Sequence, residues 1–131
     1  MSVTLTAQDQ LTLRIAGWGA VSLMSAAGAA TSAHKAATEG SIALTSATGL
    51  TGHVLAKAPK GVKYGRTTAT LADVVLPALT ASMTLLKQQA PEEADNFRRT
   101  ILVSVEAAQQ GRPDPTTTEM ARKITEALDA A

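Results

Sequence analysis

Between its glycines and prolines the chain places apolar side chains three and four residues apart almost everywhere. That is the period of one helix face, not the alternation of a half-buried strand. The expected fold is all-α: one domain over residues 1–131, an antiparallel bundle of four to five helices joined mostly by short links. A weak alternation at Val3, Leu5, Leu11, Leu13 and Ile15 is outweighed by the quartet Thr6-Ala-Gln-Asp9. An acid three residues after threonine is a capping-box variant, so the first helix starts near Ala7.

That helix is expected over residues 7–27. Leu11, Ile15, Trp18, Ser22 and Ser25 share one stripe, with Ala16, Ala20, Leu23 and Ala27 beside it. Beyond Arg14 nearly all its circumference is apolar or small, which predicts the central, most buried helix. The uncharged run from Ile15 to Ala33, ending in Ala-Thr-Ser-Ala, imitates part of a signal peptide. Asp9, however, stands where a basic leader belongs, and the run is built of Ala, Gly and Ser rather than Leu. Such small residues also give too little transfer free energy for a membrane span.

A second helix, set off by a break at Gly28 to Thr31 or continuous with the first, is expected over 32–57. Its stripe is Ala33, Ala37, Gly40, Leu44, Ala47, Leu50, Val54 and Ala58. Small side chains let backbones approach closely but bury little apolar area per residue, which favours extra burial through self-association. The third helix, 68–89, sets Leu71, Val75, Leu79, Ser82 and Leu86 inward with Val74, Ala78 and Leu85 alongside. Pro77 is expected to kink or divide it.

Pro91 followed by Glu92 and Glu93 announces a fourth helix over 91–110, since acids interact favourably with an amino-terminal dipole. Ala94, Phe97, Ile101, Val105 and Ala108 form its inner face and Gly111 stops it. The last helix, 116–130, has Met120, Ile124 and Leu128 on one side. With so few large apolar residues, it is the helix expected to pack on a second subunit.

Composition narrows the function classes. With 131 residues, 45% of them hydrophobic, roughly two thirds of the unfolded chain's surface can be buried, enough for a core without disulfides. No cysteine is present, which removes thiol nucleophiles, zinc-thiolate sites and iron-sulfur clusters and leaves the cytoplasm as the default compartment. Twelve basic residues against eleven acidic give a net charge of +1, too balanced for a broad field directed at nucleic acid. Trp18, Tyr64 and Phe97 are the only aromatic side chains, few for base stacking.

The most distinctive polar feature is the basic loop 58–67. It belongs to the segment Lys57-Ala-Pro-Lys-Gly-Val-Lys-Tyr-Gly-Arg66, which leads into Thr67 and Thr68 at a helix start. Free backbone donors, a positive dipole end and hydroxyls make Lys60, Lys63, Arg66 and Thr67 candidate anion ligands, against the alternative of a solubilising surface loop. No Walker pattern is completed there. His34 and His53 are the only imidazoles, and neither has the Glu-x-x-His spacing of a di-iron helix site, so no metal and no cofactor is expected.

Glu39 and His53 lie about 21 Å apart along one helix and form no joint site. Asp9 and His53 are a candidate polar site if the first two helices make a hairpin. Ser32-Ala-His-Lys35 matches Ser-x-x-Lys, but Ser32 reads better as a helix cap. Gly17-Trp-Gly-Ala-Val-Ser22 imitates a dinucleotide fingerprint without its preceding strand. Trp18 reads as a core anchor whose indole N–H needs an acceptor. Arg122 and Lys123 are flanked by Glu119, Glu126 and Asp129, which weakens a nucleic-acid-reading helix.

The expected function is a non-enzymatic protein-interaction or self-association module, a homodimer or a binder of another protein. The alternative is a small-molecule or anion-binding protein, or a minor enzyme, using the basic loop 57–67. Nucleic acid and membrane are not the expected partners.

Overall fold

The structure, a computed structural model, describes residues 5–28, 33–109 and 114–131. Six helices follow in order: α1 (Ala7–Ala27), α2 (Ala33–Thr45), α3 (Gly49–Leu55), α4 (Thr68–Gln89), α5 (Pro91–Gln109) and α6 (Pro115–Asp129). The fold is all-α and single-domain, with six helices rather than four to five and no strand among the described residues.

Helix α1 begins where the capping signal places it. Thr6 Oγ1 accepts from the Asp9 amide at 3.0 Å, and Asp9 Oδ2 accepts from the Thr6 amide at 3.0 Å. Two donors that the first turn cannot satisfy internally are thereby paired. The helix ends at Gly28, whose amide bonds the Met24 carbonyl. Residues 29–32, including Ser32 of the Ser-x-x-Lys match, lie outside the described residues, as do Gly111, Arg112 and Pro113.

Helix α1 packs against all five others and is the axis of the core. The row it buries differs from the expected stripe. Leu13, Ala16, Gly17, Gly19, Ala20, Val21, Leu23 and Met24 face inward. Leu11, Ile15, Trp18 and Ser25 are half-buried and Ser22 is exposed. On a helix that is apolar or small nearly all round, spacing does not choose the inner face. Close approach does: a Cβ on Gly17 would lie 2.7 Å from Leu55 Cδ2, and one on Gly19 would lie 2.4 Å from Val75 Cγ2. Gly40 of α2 meets Val21 in the same way, at 2.9 Å. Gly40, from the small-residue stripe read as a signal for self-association, thus seats α2 on α1 within one chain, as Gly17 and Gly19 seat α3 and α4.

The expected helix over 32–57 is two helices. Its apolar stripe runs in phase through the break, so spacing conceals it, but hydroxyls at the end of α2 turn back on the ladder. Thr45 Oγ1 donates to the Ser41 carbonyl at 2.9 Å and Ser46 Oγ to the Ile42 carbonyl at 2.6 Å. Such side chains offer the backbone an alternative to helix propagation. Gly49 then takes a φ of 70°, a conformation that side chains with a Cβ rarely adopt. A Cβ on Gly52 would lie 2.1 Å from the Ala47 carbonyl oxygen, so glycine is required for this tight corner.

Pro77 neither divides nor ends α4, which is one helix from Thr68 to Gln89. The proline is exposed on the outward side. The acceptor its missing N–H strands, the Asp73 carbonyl four residues back, therefore belongs to the same outer surface, where water can satisfy it. The long helices pair by recognisable contacts. Gly19 opposite Val75, and Ser82 Oγ near the Thr12 carbonyl at 3.5 Å, make α1 and α4 antiparallel. Thr80 Oγ1 donates to the Ala127 carbonyl at 2.6 Å and Lys87 Nζ to that of Ala131 at 3.0 Å, so α6 runs parallel to α4.

Helix α6 starts at Pro115, behind an Asp114 cap that accepts from the Thr117 amide at 2.8 Å. It buries Thr117, Met120, Ile124 and Leu128 in its own chain. The apolar face expected to meet a second subunit is thus already covered. Arg98 and Asp129 tie α5 to α6 on the surface at 2.9 Å, a contact of the exposed kind that contributes little.

Candidate functional site

The basic loop is positioned by α3, a seven-residue helix clamped at both ends by side chains from other helices. At its carboxyl end Arg14 Nε donates to the Val54 carbonyl at 2.9 Å, and Trp18 Nε1 to the Leu55 carbonyl at 3.2 Å. The indole thus finds the acceptor that a half-buried tryptophan needs. At the amino end Thr48 supplies no side-chain cap. Glu93 of α5 takes that role: Oε1 accepts from the Thr51 amide at 2.8 Å, from Thr51 Oγ1 at 3.0 Å and from Asn96 Nδ2 at 3.3 Å.

Burial opposes ionisation of Glu93, yet the hydrogen bonds from Thr51, Asn96 and the Leu50 amide outweigh it and hold the carboxyl below the usual carboxylate range. Because the folded value is depressed, the resulting stability is present above the unfolded value. It is lost as pH falls through the folded one. Glu93→Gln is expected to cost about 1–2 kcal/mol at neutral pH, since it weakens charged hydrogen bonds to a buried threonine. Urea unfolding of both proteins between neutral and acid pH checks this, and the difference between them should shrink towards acid.

Beyond α3 the chain runs through Gly61 and Gly65, both at positive φ. Lys57, Lys60, Lys63 and Arg66 are all exposed. Tyr64 is half-buried against the core, and burial pushes its phenol up. Thr67 is committed to helix α4: its Oγ1 accepts from the Thr70 amide at 3.0 Å, while Thr70 Oγ1 accepts from the Thr67 amide at 3.1 Å. Two shallow grooves flank the loop. One, of about 320 Å³, includes Ser22, Tyr64, Arg66, Thr67 and Leu71 in its lining. The other, of about 310 Å³, includes Leu11, Arg14, Lys57, Pro59 and Lys60.

The candidate anion ligands therefore part company. Lys60 lines one groove, Arg66 and Thr67 line the other, and Lys63 lines neither. Asp9 is engaged in the α1 cap. His53 is exposed in the last turn of α3, and no hydrogen bond or ion pair among the described residues joins the two. No group of three His, Asp or Glu side chains that could hold a metal occurs among the described residues. Arg122 is flanked by its helix neighbours Glu119 and Glu126, which bind its guanidinium. That pairing offsets the charge a phosphate contact would use.

A different surface stands out, and spacing alone missed it. Among the described helices only α4 is long and apolar enough to cross a membrane, yet just 28% of its most apolar stretch is buried. Asp73, Pro77, Ala81, Thr84 and Gln88 form an exposed row along it, with Val74, Ala78 and Leu85 half-buried on one side and Leu76 and Thr80 on the other. The signal in the sequence is that α4 is apolar beyond its core stripe, with Asp73 and Lys87 its only charges. Ile42 of α2 and Val103 of α5 are the large apolar side chains left exposed among the described residues, at 57% and 50%. Comparison with protein-family models, with characterised proteins and with solved structures gives no significant match.

Proposed function

We propose that the protein is a non-enzymatic helical module that works by self-association through the outward face of α4. The observation that carries this reading is the mismatch between the composition of α4 and its burial: only 28% of the residues in its most apolar stretch are fully buried, and Leu71, Leu76 and Leu85 are only partly covered by the core. Completing the burial of partly covered apolar side chains favours association, with the surplus set by packing and by the entropy lost on association rather than by area alone. A helix of 22 residues presents a face about 33 Å long, enough to seat another helix along its length. The dispersal of the polar candidates supports the non-enzymatic part, since catalysis needs reacting groups within bonding reach of one another.

Sedimentation velocity over a concentration range of about 1–200 µM tests the reading. The protein should pass from monomer to dimer. Ala81→Arg, which puts a charge in the middle of the face, should weaken the association at least about thirtyfold by leaving that charge unpaired in the interface. Ala81 is exposed in the monomer, so the helical circular dichroism should not change. A chain that stays monomeric across the range overturns the proposal.

A further inference from the structure

Helix α1 and the start of the basic loop bring the cations Arg14, Lys57 and Lys60 to one cleft of about 310 Å³. That volume lies at the small end of ligand-binding clefts. Ala7, Leu11 and Arg14 follow one another at helical spacing along the α1 side, and the loop adds Lys57, Pro59 and Lys60. Leu11 and Pro59 are half-buried, whereas both lysines are exposed.

Arg14 is set in place by the fold itself. Its Nε donates to the Val54 carbonyl at 2.9 Å, across 40 residues of sequence, and Nη2 lies 3.5 Å from Gln10 Oε1. Nη1 has no hydrogen-bond partner among the described residues. No carboxylate lines the cleft. The ion pairs among the described residues belong to Arg98 and Arg122, so Arg14, Lys57 and Lys60 have none. Asp9, the acid closest to Arg14 in the sequence, lies near the opposite side of α1 and is held in the Thr6 cap. In a chain whose charges nearly balance, like charges are thus gathered from two elements without an acid to offset their repulsion.

We infer that this cleft binds the phosphomonoester of a small apolar group, with the phosphate among Arg14, Lys57 and Lys60 and the organic part against Leu11 and Pro59. Guanidinium N–H groups suit phosphate oxygens, and ammonium groups add point charges beside them. A phosphomonoester dianion offsets more of this positive charge than a carboxylate does. The groove on the other side of the loop holds one cation, Arg66, and Lys63 lines neither. The assignment is therefore to this cleft and not to the basic loop as a whole, and it is independent of the α4 reading.

Isothermal titration of the intact chain with phenyl phosphate at pH 8, where a phosphomonoester is a dianion, tests it. Binding should show a Kd at or below about 1 mM in low salt and weaken as salt rises. Lys57→Gln combined with Lys60→Gln should weaken it at least about tenfold. Lys63→Gln combined with Arg66→Gln removes the same charge from the same loop outside the cleft and should weaken it less than about threefold. All four positions are exposed, so an unchanged thermal melt verifies folding; Arg14 is left intact because it also holds the end of α3. Benzoate, a monoanion with the same ring, should bind at least about tenfold more weakly than phenyl phosphate.

No binding of phenyl phosphate up to about 10 mM overturns the inference. Equal losses in the two double variants do so too, since the attraction would then be diffuse. Benzoate binding as tightly as phenyl phosphate overturns the choice of a phosphomonoester. A chain that floats with phosphatidic acid vesicles yet ignores phenyl phosphate would assign the cations to a lipid headgroup and overturn the soluble ligand. A protein that binds phenyl phosphate but stays monomeric would overturn the α4 reading alone.

Discussion

Gly19→Leu is expected to cost about 3 kcal/mol or more of folding stability, although leucine is intrinsically the better helix former. Even a single Cβ at this position would lie 2.4 Å from Val75 Cγ2 and 2.9 Å from Val75 Cγ1. Val75 cannot swing aside easily, because a β-branched side chain in a helix has one strongly preferred rotamer. Since α1 and α4 touch at this point, the strain must be relieved by separating two helix backbones. Gly19→Ala, read by urea unfolding, isolates the cause. Propensity alone would stabilise it by about 1 kcal/mol, so a net loss shows that the helix contact wins. Adding Val75→Ala should restore part of that loss, because the new methyl group then enters space the valine has vacated. A stabilised Gly19→Ala protein would mean that α1 and α4 are not in such close contact.

Phe97→Ala is expected to cost about 3–5 kcal/mol. Phe97 is fully buried in the central cluster and is the chain's only phenylalanine. It belongs to the one buried cluster that all the helices share, and packed helices relax only partly into the void that a deleted ring leaves. A domain of this size has about 5–15 kcal/mol of total stability, so the variant should approach the unfolding midpoint under mild conditions. Denaturant midpoints with an unchanged slope would establish the loss. A cost below about 1.5 kcal/mol would show that the helices close over the gap.

Local signals made much of the fold legible. The Thr6–Asp9 box set the first residue of α1, Pro91 with two acids set the start of α5, and the three- and four-residue spacing placed Val75, Leu79, Phe97, Ile101 and Ile124 in the core, where all are fully buried. Each is a property of a few neighbouring residues or of one helix surface, and so needs no knowledge of what that helix meets. The division of α2 from α3 was not legible, because the apolar phase continues through it. Ser46, Gly49 and Gly52 carried the only hint.

The candidate site was less legible still. The cations of the basic loop are neighbours in sequence, but the loop's path sends Lys60 to one groove and Arg66 with Thr67 to another. Glu93 looked like a first-turn acid for its own helix; it serves as the cap of α3, a contact across 42 residues of sequence. No spacing rule could anticipate that pairing.

By itself, then, the sequence determined that the chain is helical, where most helices begin, and which residues are too apolar or too small to lie idle. Only the tertiary structure decided which side of α1 faces inward and that its glycines serve contacts within the chain. The physical reason is that capping and periodicity are local, whereas burial belongs to pairs of surfaces. On a helix that is apolar or small nearly all round, such as α1, the partner chooses the buried face.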